Sequence, residues 1–175
     1  MIDKIAGAEI HSAPFNHIII DDFYDQETLD SIIQLYDDIE EWDDWQTAVP
    51  IIGLSLENSE MSQALSDKFG VDLSEKRFDA VLKRDHAGYY LRPHNDDPNK
   101  FLNILVFLGD DFNGTGLYST DSTENRCDFE QATLIKDVEA KKNRALIWVR
   151  GDDTWHGVKA GTNDRNVLLM VYFNQ

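Results

Sequence analysis

Cysteine and positive charge are both scarce in this chain, and each shortage excludes a class of protein. Cys127 is the only cysteine among 175 residues, so no internal disulfide can form. A reducing, cytoplasmic setting fits best, host cytoplasm if the source is viral. Lysine and arginine number 16 against 33 aspartates and glutamates, a net charge of -17. Most of that charge reads as a solvated surface, and it repels phosphate backbones and anionic bilayers, which argues against nucleic acid as a partner. A long apolar run is missing from the opening stretch MIDKIAGAEIHSAPFNHIII, which has neither a basic leader ahead of an apolar core nor a segment able to span a bilayer. Internal repeats, linkers and low-complexity tracts are absent as well. What is present is an ordinary hydrophobic fraction of 42%, and the expectation is one domain over residues 1–175 with a substantial core.

The chain changes pattern near residue 77. Upstream, HIII at 17–20 concentrates β-branched residues and reads as a strand, stopped by Asp21 and Asp22. Asp25 can cap a helix whose Leu29, Ile32, Ile33, Tyr36 and Ile39 recur at helical spacing. A second helix is predicted over residues 58–69, from Asn58 as cap to Gly70 as stop. Between them DDIEEWDDWQ carries Trp42 and Trp45, packing anchors at a domain edge or a substrate platform. Downstream, RFDAVLKRD, YYLRPH, FLNILVFL, GLYST, ATLIKDV, RALIWV and NVLLMVYF read as successive strands separated by Gly, Asn and Asp. The expected fold class is mainly β, a two-sheet jelly roll or barrel over 77–175, with the strand and helices of 1–76 covering one sheet.

In RPHNDDPNK, residues 92–100, His94 and Asp96 stand two apart. On an extended strand residues i and i+2 share a face, so an imidazole nitrogen and a carboxylate oxygen can reach one cation. The pair means little alone: five histidines, each followed two residues on by an acid at the chain's frequency of 33 in 175, give about one occurrence by chance, and there is one. His156, in RGDDTWHGV just past the strand ALIWV, offers a third ligand from a distant strand, or else a hydrogen-bonded histidine at a strand end. Two histidines and one carboxylate on one side of a metal suit Fe(II) and leave positions open for other ligands and oxygen. Arg165 opens a strand that is apolar on both faces, with Val167, Leu169, Val171 and Phe173 on its own side and Leu168, Met170 and Tyr172 on the other. A guanidinium facing inward there must find a carboxylate, from the protein itself or from the far end of a dicarboxylic ligand.

The ordered set His94-x-Asp96, His156 and Arg165 resembles the iron(II)- and 2-oxoglutarate-dependent oxygenases, and their prolyl-hydroxylase-like branch in particular. The resemblance spans residues 77–175 and rests on HNDDPN ahead of an apolar strand, WHGV around the distal histidine, and RNVLLMVYF opening nine residues after it. The stretch FNHIIIDDFYDQETLDSII is also similar to the usual start of such enzymes. The resemblance implies a double-stranded β-helix (jelly roll) that binds Fe(II) through His94, Asp96 and His156, with Arg165 on the distal carboxylate of 2-oxoglutarate. The implied activity couples oxidative decarboxylation of 2-oxoglutarate by O2, giving succinate and carbon dioxide, to hydroxylation of a peptidyl proline or a small molecule. Ascorbate is the implied supporting reductant. Asp96 itself argues against the halogenating variant, in which a small residue replaces the carboxylate.

Two positions depart from that pattern. Phe107 stands where a tyrosine hydroxyl often helps bind 2-oxoglutarate, and phenylalanine cannot donate that bond. Asn103, four residues earlier on the same strand face, either compensates or satisfies backbone instead. Leu91 stands three residues before His94, where a tyrosine is common, which leaves Tyr90 as the candidate and Tyr89 ambiguous. Around the site, Trp148 reads as core or as pocket wall near His156, and Arg92, Lys100 and Arg150 as exposed charges or contacts for an anionic substrate. Residues 119–130, STDSTENRCDFE, form a polar stretch of a length that suits a mobile lid. Two other readings compete: a metal-binding β-barrel without catalysis, and an acidic interaction module with incidental histidines.

Overall fold

The computed structural model describes residues 1–39, 46–50, 56 and 58–174. Asp25 and Asn58 start their helices as expected. The Asp25 carboxylate accepts the Thr28 amide at 2.8 Å and opens α2, Gln26–Asp37; the Asn58 side chain accepts the Met61 amide at 2.8 Å and opens α3, Ser59–Phe69. Each bond satisfies an amide that the first turn of a helix leaves unpaired. Gly70 ends α3 in the left-handed region at φ 66, where a side chain would be strained. Ahead of both lies α1, Ile2–Gly7, too short to leave a periodic pattern in the sequence.

The strands are β1 His17–Ile20, β2 Gln46–Pro50, β3 Arg77–Asp85, β4 Leu91–His94, β5 Lys100–Phe107, β6 Thr115–Ser119, β7 Thr133–Val138, β8 Ala145–Val149, β9 His156–Val158 and β10 Arg165–Phe173. They form two antiparallel sheets, one of six strands in the order β1-β8-β5-β10-β3-β2 and one of four in the order β4-β9-β6-β7. The expected strand over 77–85 is β3 to the residue. Two strands were not expected: β9, which spans only three residues, and β2, which falls in the acidic connector and pairs with β3. Trp42 and Trp45 lie outside the described residues.

Alternation along the strands sorts side chains into two cores. Leu102, Ile104 and Val106 of β5 and Leu168, Met170 and Tyr172 of β10 bury against Leu29, Ile32, Met61 and Leu65 of the helices. The alternate residues Leu105, Phe107, Leu146, Trp148 and Val167 bury against Leu117 and Val138 of the smaller sheet. The larger sheet is therefore covered on both faces, by helices on one and by the smaller sheet on the other. That double burial is why β5 after Lys100, apart from Asn103, and β10 after Asn166 read as apolar runs.

Candidate metal centre

The smaller sheet brings the two histidines together. His94, the last residue of β4, and His156, the first of β9, are direct partners across the antiparallel ladder, with ring centroids 4.4 Å apart. Gly157 permits that approach, because a Cβ there would stand 2.8 Å from the Leu91 carbonyl oxygen of β4. Asp96 follows two residues past the end of β4, and its Oδ2 is 3.5 Å from His156 Nε2. One ligand atom from each of His94, Asp96 and His156 lies within 4.8 Å of the others, and among the described residues no other such cluster occurs.

The hydrogen bonds leave the right atoms available. His94 Nδ1 faces the Arg92 carbonyl at 3.0 Å and His156 Nδ1 faces the Thr154 carbonyl at 2.9 Å. A ring nitrogen facing a carbonyl carries the hydrogen, so in the neutral form of either ring the lone pair sits on Nε2. Asp96 Oδ1 accepts from Lys100 Nζ at 2.6 Å, while its Oδ2 is buried with no hydrogen-bond partner. Burial, then the neighbouring His156, pushes His94 down to about 4. Burial alone would raise the Asp96 carboxyl, but His156 and then Lys100 outweigh it and hold it below the usual carboxylate range. A neutral His94 and an ionised Asp96 are the forms a divalent cation binds. The donor set therefore fits Fe(II).

The cluster faces a cavity of about 90 Å³, several times the roughly 10–15 Å³ that one water needs. Leu105, Val158, Leu169 and Arg165 line it together with the two histidines and Asp96. Five buried side-chain atoms without a hydrogen-bond partner belong to residues lining this cavity: Asp96 Oδ2, Asn103 Oδ1 and Nδ2, Trp148 Nε1 and Arg165 Nε. A larger groove runs past Gly116 and Tyr118, but none of the unpartnered atoms belongs to its lining. Buried polar groups are normally paired, so their concentration, among the described residues, in the walls of one cavity points to a polar ligand there.

Of the two partners left open for Arg165, the structure shows the protein acid. Arg165 Nη1 donates to Asp85 Oδ2 at 2.7 Å and Nη2 to Thr115 Oγ1 at 3.0 Å. Burial pulls this guanidinium below its usual range, and the Asp85 charge opposes that pull. Lys83, also lowered by burial, stands 3.6 Å from Asp85 Oδ1. Asn103 is fully buried and bonds to no backbone group, which removes the alternative of a backbone-satisfying role. Trp148 is both core and wall: it is 3% exposed, and its ring lies 4.8 Å from that of His156.

Other expectations are corrected. Tyr90 is 55% exposed and does not line the cavity, whereas Tyr89 and Leu91 do. Successive residues of an extended chain point to opposite sides, so a one-residue choice decides between cavity and solvent. Arg92 is paired with Asp128 at 2.7 Å and Arg150 with Asp152 at 2.7 Å, while Lys100 is held on Asp96. All three cations are thus engaged by the chain's own acids, and Arg92 is exposed, in keeping with its reading as a surface charge. The polar loop expected as a lid is bonded along β4 through Asn95 N to Asn125 O at 2.9 Å and Cys127 N to Pro93 O at 3.0 Å, as an added edge beside the ligand-bearing strand. Asp85, Thr115 and Lys83 were missed. The only signal was the alternation in β3 that puts Lys83 and Asp85 on one face, and it acquires meaning only once β3 is known to pair with β10.

No family model matches the chain, and no curated protein matches its sequence. Solved structures do match its fold. An oxidoreductase of the 2OG-Fe(II) oxygenase family from Burkholderia pseudomallei aligns with a TM-score of 0.64 at 13% identity, over 99% of this chain and 90% of that one. A Pseudomonas putida prolyl-4-hydroxylase aligns with a TM-score of 0.59 at 13% identity, over 99% and 97%. HygX from Streptomyces hygroscopicus, solved with nickel, 2-oxoglutarate and hygromycin B bound, aligns with a TM-score of 0.64 at 12% identity, over 91% and 83%. At these identities the likeness is one of fold. The chain is mainly β, with the architecture of the 2-oxoglutarate and Fe(II) oxygenases.

Proposed function

We propose that this chain is a cytoplasmic Fe(II)- and 2-oxoglutarate-dependent dioxygenase that hydroxylates a peptidyl proline or a small molecule. On this reading the strands of residues 77–175 in its two sheets form one double-stranded β-helix, and residues 1–76 add β1, β2 and the helical cover to the larger sheet within a single domain. The observation that carries it is the pairing of two histidines tied back through Nδ1 with a buried carboxylate oxygen that has no partner, around a cavity whose lining also includes a buried guanidinium. The names of the structural neighbours support both substrate classes, one being a prolyl-4-hydroxylase and another holding hygromycin B. The net charge of -17 weighs against nucleic acid.

His94, His156 and Asp96 would hold the iron through Nε2, Nε2 and Oδ2. Lys100, fixed on Oδ1, leaves Asp96 a single oxygen to offer. The chemistry supplied by bound iron is activation of O2, with one oxygen atom ending in succinate and the other in the hydroxylated product. The cavity's lining offers the three kinds of surface that a five-carbon 2-oxo diacid needs: polar at the histidines, apolar at Leu105, Val158 and Leu169, and cationic at Arg165. Those apolar walls would lie against the methylenes and keep water from the reacting end. Arg165 with Thr115 would hold the distal carboxylate.

The test is succinate formation from 2-oxoglutarate in the presence of Fe(II), ascorbate and O2, screened against proline-containing peptides and free amino acids. Succinate that rises with one class of additive, and is lost in His94→Ala, identifies the substrate. The competing metal-binding barrel draws its support from the Arg165–Asp85 pair, which needs no ligand. Metal bound at one per chain, with no succinate on any additive, would favour that reading instead.

A further inference from the structure

We propose that Asp85 is a built-in competitor for the ligand's distal carboxylate, so that affinity for a 2-oxo diacid is set by how Arg165 and Lys83 are shared between Asp85 and the ligand. The inference rests on the cosubstrate reading above and names residues that the resemblance did not supply. Asp85 is 1% exposed and is Arg165's direct partner across the β3–β10 ladder. Its two oxygens are divided, Oδ2 to Arg165 Nη1 at 2.7 Å and Oδ1 towards Lys83 Nζ at 3.6 Å. Lys83 lies two residues before Asp85 on the same strand, hence on the same face, and all three groups line the cavity. Among the described residues Arg165 and Lys83 set two cations against this carboxylate, and the positive charge left over matches one incoming carboxylate.

Arg165 keeps one guanidinium nitrogen without a hydrogen-bond partner, the buried Nε. A carboxylate that enters the cavity and reaches the guanidinium shares it with Asp85 and is repelled by it. Without ligand, Asp85 spares the protein a buried, unpaired guanidinium. With ligand, the same carboxylate weakens the grip, and Lys83 offsets part of that repulsion. Asp85 therefore trades affinity for stability of the empty cavity.

The experiment is calorimetric titration of the Mn(II)-loaded protein with 2-oxoglutarate, and with pyruvate as the 2-oxo acid lacking a distal carboxylate. Asp85→Asn is expected to bind 2-oxoglutarate about tenfold or more tightly, the weight of one charged hydrogen-bond partner, with pyruvate unchanged. Lys83→Met keeps the Arg165–Asp85 pair and is expected to weaken 2-oxoglutarate about tenfold, again with pyruvate unchanged. It decides the matter on its own if Asp85→Asn does not fold. Unchanged or weaker 2-oxoglutarate binding in Asp85→Asn, unchanged binding in Lys83→Met, or a parallel change for pyruvate would overturn the inference while leaving the cosubstrate reading intact. Wild-type protein that takes up Mn(II) but no 2-oxoglutarate would sink the cosubstrate reading, and the inference with it.

Discussion

The two faces of the larger sheet are built from the same strands and obey opposite rules. On the helix side, Ile104, Leu168 and Met170 are fully buried among apolar neighbours, and the polar groups that reach in are paired: the Tyr24 hydroxyl with Met170 Sδ at 3.2 Å, the Tyr172 hydroxyl with Ser62 Oγ at 3.0 Å. On the cavity side, one residue away along β5 and β8, Asn103 and Trp148 hold polar atoms with no partner. An unsatisfied buried group costs about 1–3 kcal/mol, so the cavity side is kept at a loss of stability that the helix side offsets. Such a loss persists where a ligand completes the bonds.

The contrast is broken most sharply at the metal cluster. His156→Ala removes one of the three proposed ligands and is expected to lower Mn(II) affinity by at least about a hundredfold. Its urea midpoint without metal should stay close to that of the parent, because the change removes no helix-side packing. Ile104→Ala does the converse. It should cost about 2–5 kcal/mol in urea unfolding, while the folded fraction still binds one Mn(II) per chain. If both variants lose both properties together, the two faces are not separable in the way described.

Acid sharpens the comparison. Folding holds His94 at about 4 against 6.5 for the ordinary group, so the unfolded chain takes up that proton first as pH falls. The contribution is therefore fully present above pH 6.5 and is lost as pH falls towards 4, by up to roughly 3 kcal/mol. Metal-free protein should show this loss in urea melts across that window. His94→Gln should flatten it, and an equally steep profile in that variant would assign the effect elsewhere. The smallest effect belongs to Asn103→Leu, which exchanges an unpaired amide for an apolar group. It is expected to stabilise the metal-free protein by about 1 kcal/mol and to weaken 2-oxoglutarate binding. A destabilised variant would mean that Asn103 serves the fold.

What was legible in the sequence follows from the range over which each signal acts. The caps at Asp25 and Asn58, the strand at 77–85 and the apolar runs of β5 and β10 are set by near neighbours, and they fall where expected. His94, Asp96 and His156 were legible because two stand two residues apart and the third follows the apolar run ALIWV, although Asp96 lies past the end of β4 and His156 opens a strand of its own. Asp85, Thr115 and Lys83 were not, because their roles exist only through strand pairing, and register across distant strands leaves no local mark. The same limit explains why Tyr90 was chosen over Tyr89, and why Arg165 could be assigned a need for a carboxylate but not which one.

The central claim is that His94, Asp96 and His156 hold one metal ion beside a cavity that takes 2-oxoglutarate. Anaerobic titration of the purified chain with Fe(II), and then with 2-oxoglutarate in the presence and absence of the metal, tests it most directly. The account predicts one Fe(II) per chain and 2-oxoglutarate binding that appears only with the metal and is lost in Arg165→Ala. Binding of 2-oxoglutarate without metal, or metal uptake unaffected by replacing both histidines, would contradict it.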